Sequence, residues 1–263
     1  MSTTASTQLS AGILPSRRNQ IVGQLDLIVT PIFFALLSVL LVAVWVYSDF
    51  DKTTTSILEP SRLWTQFQQQ ISLALWSTAL VIVLAIPLGI VVTREGAPRL
   101  KNNLVTGLGL GQAIPAYGLI VLFFVAFGQG SVTVVLALAT FALLPVLRNT
   151  IVGLEQVDQS VIEAGKGMGL NGLQRLRQIE LPLAVPVIMG GIRTATVINV
   201  GMATLAYLIG GGGLGETIAG GLKNGRPTAI FVGAVLVALI ALALDLLGGL
   251  AQRYLKPKGL ACG

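Results

Sequence analysis

The sequence predicts an all-α membrane protein, a polytopic bundle of about six transmembrane helices. The first observation is composition, since 54% of the residues are hydrophobic and only 11% are charged, whereas soluble domains carry roughly 25% charged residues. The second is a mean hydropathy of +0.83. The third is the recurrence of long apolar runs, which leave no stretch large enough for a water-soluble core.

Six apolar runs account for the predicted helices. At 1.5 Å per residue, each can cross about 30 Å of hydrocarbon, with the fourth at the short end of the range. Internal prolines would disfavour soluble helices, but neighbouring helices in a bundle can satisfy the freed backbone groups. The runs cover residues 28–47, 71–93, 104–127, 131–147, 185–209 and 229–250, and the prolines are Pro31, Pro87, Pro115, Pro145 and Pro186.

The first run is predicted to be a retained helix rather than a cleaved signal. Polar residues and Arg17 and Arg18 precede it, as in a signal sequence. However, its 20 residues exceed a signal core of about 7–15, and no small-residue cleavage site follows. The predicted divisions are a polar segment 1–27, an extra N-terminal helix 28–47, a core of five helices within 71–250, and a tail 251–263.

The basic residues predict the orientation. With both termini in the cytoplasm, twelve of the seventeen basic residues lie inside, four lie outside, and Arg193 lies within the fifth span. This bias matches the positive-inside rule, so the segment 148–184 between spans four and five is predicted to be cytoplasmic. The inside set is Arg17, Arg18, Arg94, Arg99, Lys101, Arg148, Lys166, Arg175, Arg177, Arg253, Lys256 and Lys258, and the outside set is Lys52, Arg62, Lys223 and Arg226.

The titratable residues exclude several classes of chemistry. The chain has no histidine and a single cysteine, Cys262, so a disulfide, a zinc site or a cysteine–histidine dyad lacks the necessary side chains. The net charge of +6 comes from basic residues scattered among short loops, without the basic block of a nucleic-acid-binding protein. We predict no catalytic residue, no metal site and no nucleic-acid partner.

The segment 148–184 carries most of the functional information. It is too polar to enter lipid and too short to fold alone. Leu173, Leu176 and Ile179 recur at a spacing of three, which predicts two short amphipathic helices hinged within residues 165–172. Their apolar faces need a surface to cover them, either the membrane interface or a partner protein.

A spaced motif lies within this segment. It consists of Glu163, Ala164 and Gly165, then Gly169 after three residues, then Ile179, Leu181 and Pro182 after nine more. The motif resembles the cytoplasmic signature of importer permeases of the ATP-binding-cassette (ABC) superfamily, in which alanine stands at the position of Gly165. The resemblance implies a type I importer permease fold whose signature segment, residues 163–182, forms a coupling helix that docks on an ATPase subunit.

Elementary physics agrees with this implied role. Small residues at 164, 165 and 169 let a helix backbone approach the wall of a groove closely. Glu163 can meet a basic residue or a helix N-terminus. Pro182 and Pro186 are expected to end the loop helix and to set the angle at which span five departs.

The resemblance also implies the partners. No G-x-x-x-x-G-K-[ST] motif occurs in the chain, so ATP and Mg²⁺ would bind to separate ABC ATPase subunits. Two such subunits, a second permease of the same or a homologous chain, and an extracytoplasmic substrate-binding protein are expected at a prokaryotic inner membrane. This chain would be a non-catalytic translocation subunit that works by alternating access.

A second resemblance, covering roughly residues 70–225, is to osmoprotectant permeases for glycine betaine, choline and carnitine. It rests on Ile86–Ile90, Ile114 and Pro115, Leu144–Thr150, and Gly211–Glu216. Methionine and metal-chelate permeases share the loop signature. A different substrate, such as methionine or another small amine, is therefore the alternative.

Residues 210–215 fit the pattern G-x-G-x-x-G. Neither a preceding strand nor a βαβ unit is predicted around them, and the topology places them outside the cytoplasm, so a nucleotide site is rejected. We interpret this segment as a tight external re-entry that permits close backbone packing. Gly213 and Glu216 are candidates for contact with the binding protein.

Polar residues within the spans are the remaining candidates. Intramembrane charges usually face the bundle interior and pair, so an ion pair of Arg193 with Asp245 is predicted near the inner leaflet, with a structural or a gating role. Recognition of a quaternary ammonium group would use aromatic faces. Candidates along the pathway, with packing as the alternative role for each, are Gln112, Tyr117, Thr196, Asn199, Met202 and Tyr207.

Two other classes of function fit the sequence less well. An intramembrane enzyme needs a nucleophile with a base, or paired carboxylates at one depth. The spans offer only Arg193 and Asp245 for such chemistry. A channel or ion-driven carrier would leave the signature segment without a purpose.

Overall fold

The computed structural model describes residues 17–47, 50–94 and 98–255, which form helices and turns without a strand. Lys256, Lys258 and Cys262 lie outside the described residues. The α-helices are α1 (Arg17–Tyr47), α2 (Lys52–Ile57), α3 (Pro60–Arg94), α4 (Pro98–Gly111), α5 (Ala116–Phe127), α6 (Ser131–Glu155), α7 (Gln159–Gly167), α8 (Gly172–Arg175), α9 (Leu181–Ala203), α10 (Gly215–Lys223) and α11 (Pro227–Leu255). A π-helical turn, Leu176–Glu180, joins α8 to α9, and a 3-10 turn, Ala206–Ile209, follows α9.

Five helices in the described part of the chain are long and apolar enough to cross a membrane. They are α1, α3, α6, the continuous helix from α8 through α9, and α11. Each contains one of the predicted apolar runs, or most of it. The all-α, multi-span fold class is therefore confirmed.

The prediction of one continuous span over residues 104–127 is wrong. This segment is divided between α4 and α5, which are bent by 96° relative to each other. Pro115 precedes α5, lacks an N–H to continue α4, and its ring disfavours the helical conformation at Ile114. Counted as one crossing, the bent pair completes the predicted six.

The core is formed by α3, α6 and α9, which pack on one another along their length. One buried cluster contains Leu73 of α3, Val134 of α6 and Met202 of α9. A second contains Val81 of α3, Ala195 of α9 and buried residues of α6. Small buried residues on α6 and α9 let the helix backbones approach closely, which is the usual means of helix association in lipid. α11 packs on the outer side of α9, and α5 packs on α6.

The long helices run between two ends of the bundle. We call the end that holds residues 155–181 the signature end, where Arg94 at the end of α3 pairs with Glu180. We call the end that holds residues 204–226 the glycine end, where Gln66 in the second turn of α3 bonds to Glu216. α3 therefore contacts the chain near both ends of α9, so a movement of α9 can be described relative to α3.

α1 lies at the periphery of the bundle. It packs on the start of α11, where Leu41 and Val44 contact Ala229 and Val232. Large apolar side chains elsewhere on α1, such as Val39, are exposed. A helix with exposed apolar side chains is expected to face lipid.

The segment predicted to hold two hinged amphipathic helices contains α7 and α8. The second is not a separate helix, because the chain from Gly172 to Ala203 is one helix of 32 residues. The prediction that Pro182 and Pro186 end the loop helix is therefore wrong. Leu181 donates its N–H to the carbonyl of Leu176, five residues back, and this π-helical register carries the helix past the proline.

Candidate functional site

The first half of the signature segment forms α7, which is fixed at both of its ends. Asp158 precedes the helix and accepts a hydrogen bond from the Ser160 N–H at 2.8 Å. The hydrogen bonds from Ser160 lower the pKa of this carboxyl below its ordinary value, so the cap is charged at neutral pH. At the other end, Gly169 has φ +78°.

Gly169 is required by the way α7 ends. Its N–H donates to the carbonyl of Lys166 at 2.9 Å, and the N–H of Leu170 donates to the carbonyl of Gly165 at 3.1 Å. This pair of bonds is a Schellman motif, which needs a left-handed residue directly after the cap, and glycine adopts that conformation without strain. The glycine of the signature thus determines where α7 stops.

The two halves of the signature meet at Gly165. This residue is buried, and a Cβ built on it would lie 2.7 Å from the Cδ1 atom of Ile179. α7 therefore rests on the π-helical turn at the start of α9. Glu163, Ala164 and Gly169 face away from this contact and are exposed.

Two ion pairs tie the signature end to the spans. Glu180, which is 7% exposed, pairs with Arg94 at the end of α3. Lys101 Nζ on α4 lies 2.5 and 2.7 Å from the two carboxylate oxygens of Glu155 at the end of α6. Sequence analysis missed both pairs. Their only sequence signal was that each charge stands at the end of an apolar run.

Leu181 and Pro182 complete the signature at the start of α9. Leu181 packs against the cluster of Leu154, Ala184 and Ile188, which joins α6 to α9. A Cβ on Gly153 would lie 3.1 Å from the carbonyl oxygen of Ala184. The start of α9 is thus packed tightly against the end of α6.

The structure brings Arg193 and Asp245 together. The Arg193 guanidinium donates from Nε to Oδ1 at 2.9 Å and from Nη2 to Oδ2 at 2.7 Å. A Cβ on Gly248 would lie 2.8 Å from Arg193 Cγ, so glycine makes room for the arginine stem on α11. This two-bond geometry joins α9 firmly to α11.

Gln252 extends this contact and was not predicted. Its Oε1 atom accepts from Arg193 Nη1 at 3.3 Å, and its Nε2 atom donates to the carbonyl of Pro186 at 2.7 Å. Asp245, Gly248 and Gln252 are spaced by three and four residues, so they share one face of α11. That periodicity was present in the sequence.

The predicted pathway residues do not form one cluster. Asn199 is fully buried and bonds to Thr78 at 3.0 Å, so it joins α3 to α9 inside the bundle. Thr196 and Met202 are also buried, whereas Tyr117 is 55% exposed. The other two, Gln112 and Tyr207, are partly exposed, and Gln112 donates to the carbonyl of Phe141 at 3.0 Å.

The segment 210–215 makes a tight turn at the glycine end. Gly210, Gly212 and Gly213 have positive φ, and Gly213 is buried. Glu216 lies in the first turn of α10 and is exposed. Close backbone packing is thus observed, while contact of Gly213 and Glu216 with another protein stays a prediction.

These features define a class: a multi-pass helical membrane protein that holds a short helix, exposed on one side, beside its spans. Residues 85–259 match the family described as binding-protein-dependent transport system inner membrane component. The chain belongs to this family. The family resemblance predicted from the signature segment is confirmed.

Curated relatives give the same answer. The chain is similar to the glycine betaine/carnitine/choline transport system permease protein OpuCB of Bacillus subtilis, with 38% identity over 194 residues, 73% of this chain and 88% of the relative. It is similar to the osmoprotectant import permease protein OsmY of Salmonella typhimurium, with 41% identity over 191 residues, 72% of this chain and 80% of the relative.

A solved structure shares the fold. An inward-facing structure of the MetNI methionine ABC transporter aligns with a TM-score of 0.67 and 22% identity, covering 76% of this chain and 99% of that chain. This likeness concerns the arrangement of helices. It covers 99% of the solved chain, so this chain and that chain of the methionine ABC transporter share one fold.

Proposed function

We propose that the chain is the translocation subunit of an ABC importer for a small osmoprotectant of the quaternary ammonium type, such as glycine betaine, choline or carnitine. The observation that carries the proposal is the packing of Gly165 on Ile179. Through this contact the two halves of the signature form one body attached to a span. An ATPase-docking element needs such an attachment in order to move that span.

The exposed side of the signature end is suited to a protein partner. Val161 is 40% exposed, Met168 is 72% exposed and Leu173 is 63% exposed. Apolar side chains of this size beside the exposed Glu163 favour a groove on another protein. We assign this groove to the ABC ATPase subunit, which binds ATP and Mg²⁺, and we assign no catalytic step to this chain.

The contacts supply a route for movement. Displacement of α7 moves Ile179 and hence α9, because α8, the π-helical turn and α9 form one helix. The bonds of Arg193 to Asp245 make α11 follow α9. The pair of Arg94 with Glu180 connects the same movement to α3. When ATP closes two ATPase subunits, the signature ends of two permease chains would be pulled together. This movement would produce alternating access.

The distribution of charge supports the proposed orientation. Arg94, Lys166 and Arg175 belong to the signature end, whereas Lys52 and Arg226 lie near the glycine end. On the positive-inside rule, the signature end faces the cytoplasm of a prokaryotic cell, and both termini lie on that side. The glycine end then faces the binding protein, with Gly213 and Glu216 as candidate contacts.

The remaining assignments concern the assembly and the substrate. Two ATPase subunits, a second permease and a binding protein complete the importer, and the pathway candidates given above lie between the permeases or within this one. The named functions of relatives at 36–41% identity favour an osmoprotectant. Methionine is the weaker alternative, because the methionine transporter is only 22% identical and supports the fold alone.

The test is copurification with the ATPase subunit, followed by uptake of labelled glycine betaine into vesicles. Glu163→Arg changes an exposed side chain and is expected to reduce ATPase recovery about tenfold or more, because it reverses a charge in the docked surface. Glu59→Arg, the same charge reversal at an exposed position directly before α3 at the glycine end, is the matched control. Uptake by the purified chain alone without ATP would refute the proposal.

A further inference from the structure

Three glutamines stand on one face of α3 at the glycine end. Gln69 and Gln70 follow Gln66 by three and four residues, so both lie beside it on the helix surface. Gln70 is fully buried and Gln66 is 7% exposed. Amides in such positions need hydrogen-bond partners, since an unpaired buried amide is costly.

Gln70 bonds to the ends of two helices at once. Its Nε2 atom donates to the carbonyl of Val200 at 2.8 Å, and its Oε1 atom accepts from the N–H of Leu214 at 3.1 Å. The N–H of Thr204, four residues after Val200, donates instead to Gly201 at 3.3 Å. Gln70 therefore bonds to a carbonyl at the end of α9 and to an N–H at the start of α10.

The other two glutamines bind the same loop. Gln69 Oε1 accepts from the N–H of Gly213 at 2.9 Å. Gln66 accepts from the Thr217 hydroxyl and donates from Nε2 to Glu216 Oε2 at 3.2 Å. Gln66, Gln69 and Gln70 are thus all bonded to residues 213–217, and each of these bonds joins residues at least 144 positions apart.

The glycines of this loop make these bonds possible. Gly212 and Gly213 have φ of +76° and +94°. A Cβ on Gly212 would lie 2.3 Å from Gln69 Oε1, and one on Gly213 would lie 2.7 Å from Gln70 Oε1. A side chain at either position would displace the glutamine amide from its hydrogen bond. The glycines of the loop and the glutamines of α3 therefore serve one contact.

α9 is consequently held to α3 near each of its ends. At the signature end the tie is Arg94 with Glu180, and at the glycine end it is Gln70 with Val200. Alternating access requires that the two ends open in turn. A movement of α9 away from α3 at the glycine end must break the glutamine bonds.

We propose that Gln66, Gln69 and Gln70 form an external latch, a set of positioning residues that holds the glycine end closed until transport opens it. The proposal rests on the transport function given above. A cavity of about 240 Å³ adjoins the latch and is lined by Ser61, Arg62, Thr65, Gln66, Gln69 and Glu216. Gln66 and Gln69 line this cavity, whereas Gln70 is covered.

The first test measures the contact in the purified full chain by hydrogen–deuterium exchange of the peptide that contains Gly213 and Leu214. Gln69→Met removes the acceptor with little change in size and is expected to accelerate exchange at Gly213 about fivefold, the effect of one net hydrogen bond. Gln69→Glu keeps an acceptor oxygen and is expected to exchange like the parent. Gln68→Met, at an exposed neighbouring position, is the control.

The second test measures coupling in the complete importer, with the same variants. Gln69→Met is expected to raise ATP hydrolysis in the absence of binding protein about fivefold, because a weakened latch populates the externally open state. Gln69→Glu and Gln68→Met are expected to leave it unchanged. Faster exchange without any change in hydrolysis or uptake would overturn the gating role, and unchanged exchange in Gln69→Met would overturn the latch itself. A parent complex that does not hydrolyse ATP would refute the transport function, and the exchange result would still decide the contact.

Discussion

Adjacent glycines on α9 are expected to respond oppositely to the same substitution. Gly191 faces α6, and a Cβ there would lie 2.7 Å from Asn149 Nδ2 and 2.9 Å from the carbonyl oxygen of Pro145. The asparagine amide can rotate away, but the Asn149 Cβ, which would lie 2.8 Å from the new methyl, and the Pro145 carbonyl are both fixed by the backbone of α6. To restore an ordinary contact of 3.4 Å, the two helices must separate by about 0.5 Å at their crossing, and overpacking of this kind costs about 1–3 kcal/mol.

Gly190 provides the matched control. A Cβ there would meet no described atom within 4 Å. Alanine at position 190 should therefore stabilise the chain by up to about 1 kcal/mol through helix propensity alone. The two variants add the same methyl group one residue apart and gain the same helix propensity, so they are expected to differ by the overpacking cost alone, about 1–3 kcal/mol.

The assay is unfolding of the purified chain in mild detergent by titration with a denaturing detergent, followed by circular dichroism. Gly191→Ala should lower the free energy of unfolding and Gly190→Ala should raise it. Equal effects of the two substitutions would refute the close crossing of α6 and α9 at this point. A stabilising effect of Gly191→Ala would refute it as well.

Three further predictions concern the ties of the bundle. In a double-mutant cycle of Arg193→Leu and Asp245→Leu, the same unfolding assay should give a coupling free energy of about 1–2 kcal/mol. This is less than for a buried pair because both side chains are partly exposed. Additive effects of the two substitutions would contradict the ion pair. Gly165→Ala should be tolerated, since the one close contact of the new Cβ is with the terminal methyl of Ile179. Gly165→Leu should instead reduce ATPase recovery about tenfold or more in the copurification assay. Gly215→Ala should cost at least about 3 kcal/mol because its Cβ would lie 1.8 Å from the backbone oxygen of Thr204, while Gly220→Ala should be near neutral; similar unfolding free energies would argue against the tight turn.

Much of the fold could be predicted because hydropathy and charge are local properties of the chain. An apolar run must satisfy its backbone groups within its own helix, so each run implies a span regardless of its neighbours. The termination of α7 was equally local, since Gly169 supplies the left-handed residue that follows its cap. The spacing of the motif from Glu163 to Pro182 is also a local property of the chain, and it indicated the family.

The errors occurred where two local signals competed. Apolar composition favoured one span over residues 104–127, but Pro115 interrupts the helix and bends the segment by 96°. The error at Pro182 was the opposite one. A proline ordinarily ends a helix, and here the π-helical turn lets the helix continue through Pro182. Composition does not indicate which of these outcomes a proline produces, because the choice depends on how the neighbouring helices pack.

The sequence by itself determined that this chain spans a membrane several times and carries an importer signature between its fourth and fifth apolar runs. Only the tertiary structure decided how that signature is attached, through Gly165 on Ile179 and Arg94 on Glu180. It also decided that three glutamines of α3 bind a loop more than 140 residues away. The physical reason is that a span follows from the free energy of its own segment in lipid, whereas a hydrogen bond between distant segments depends on where the whole chain places both partners.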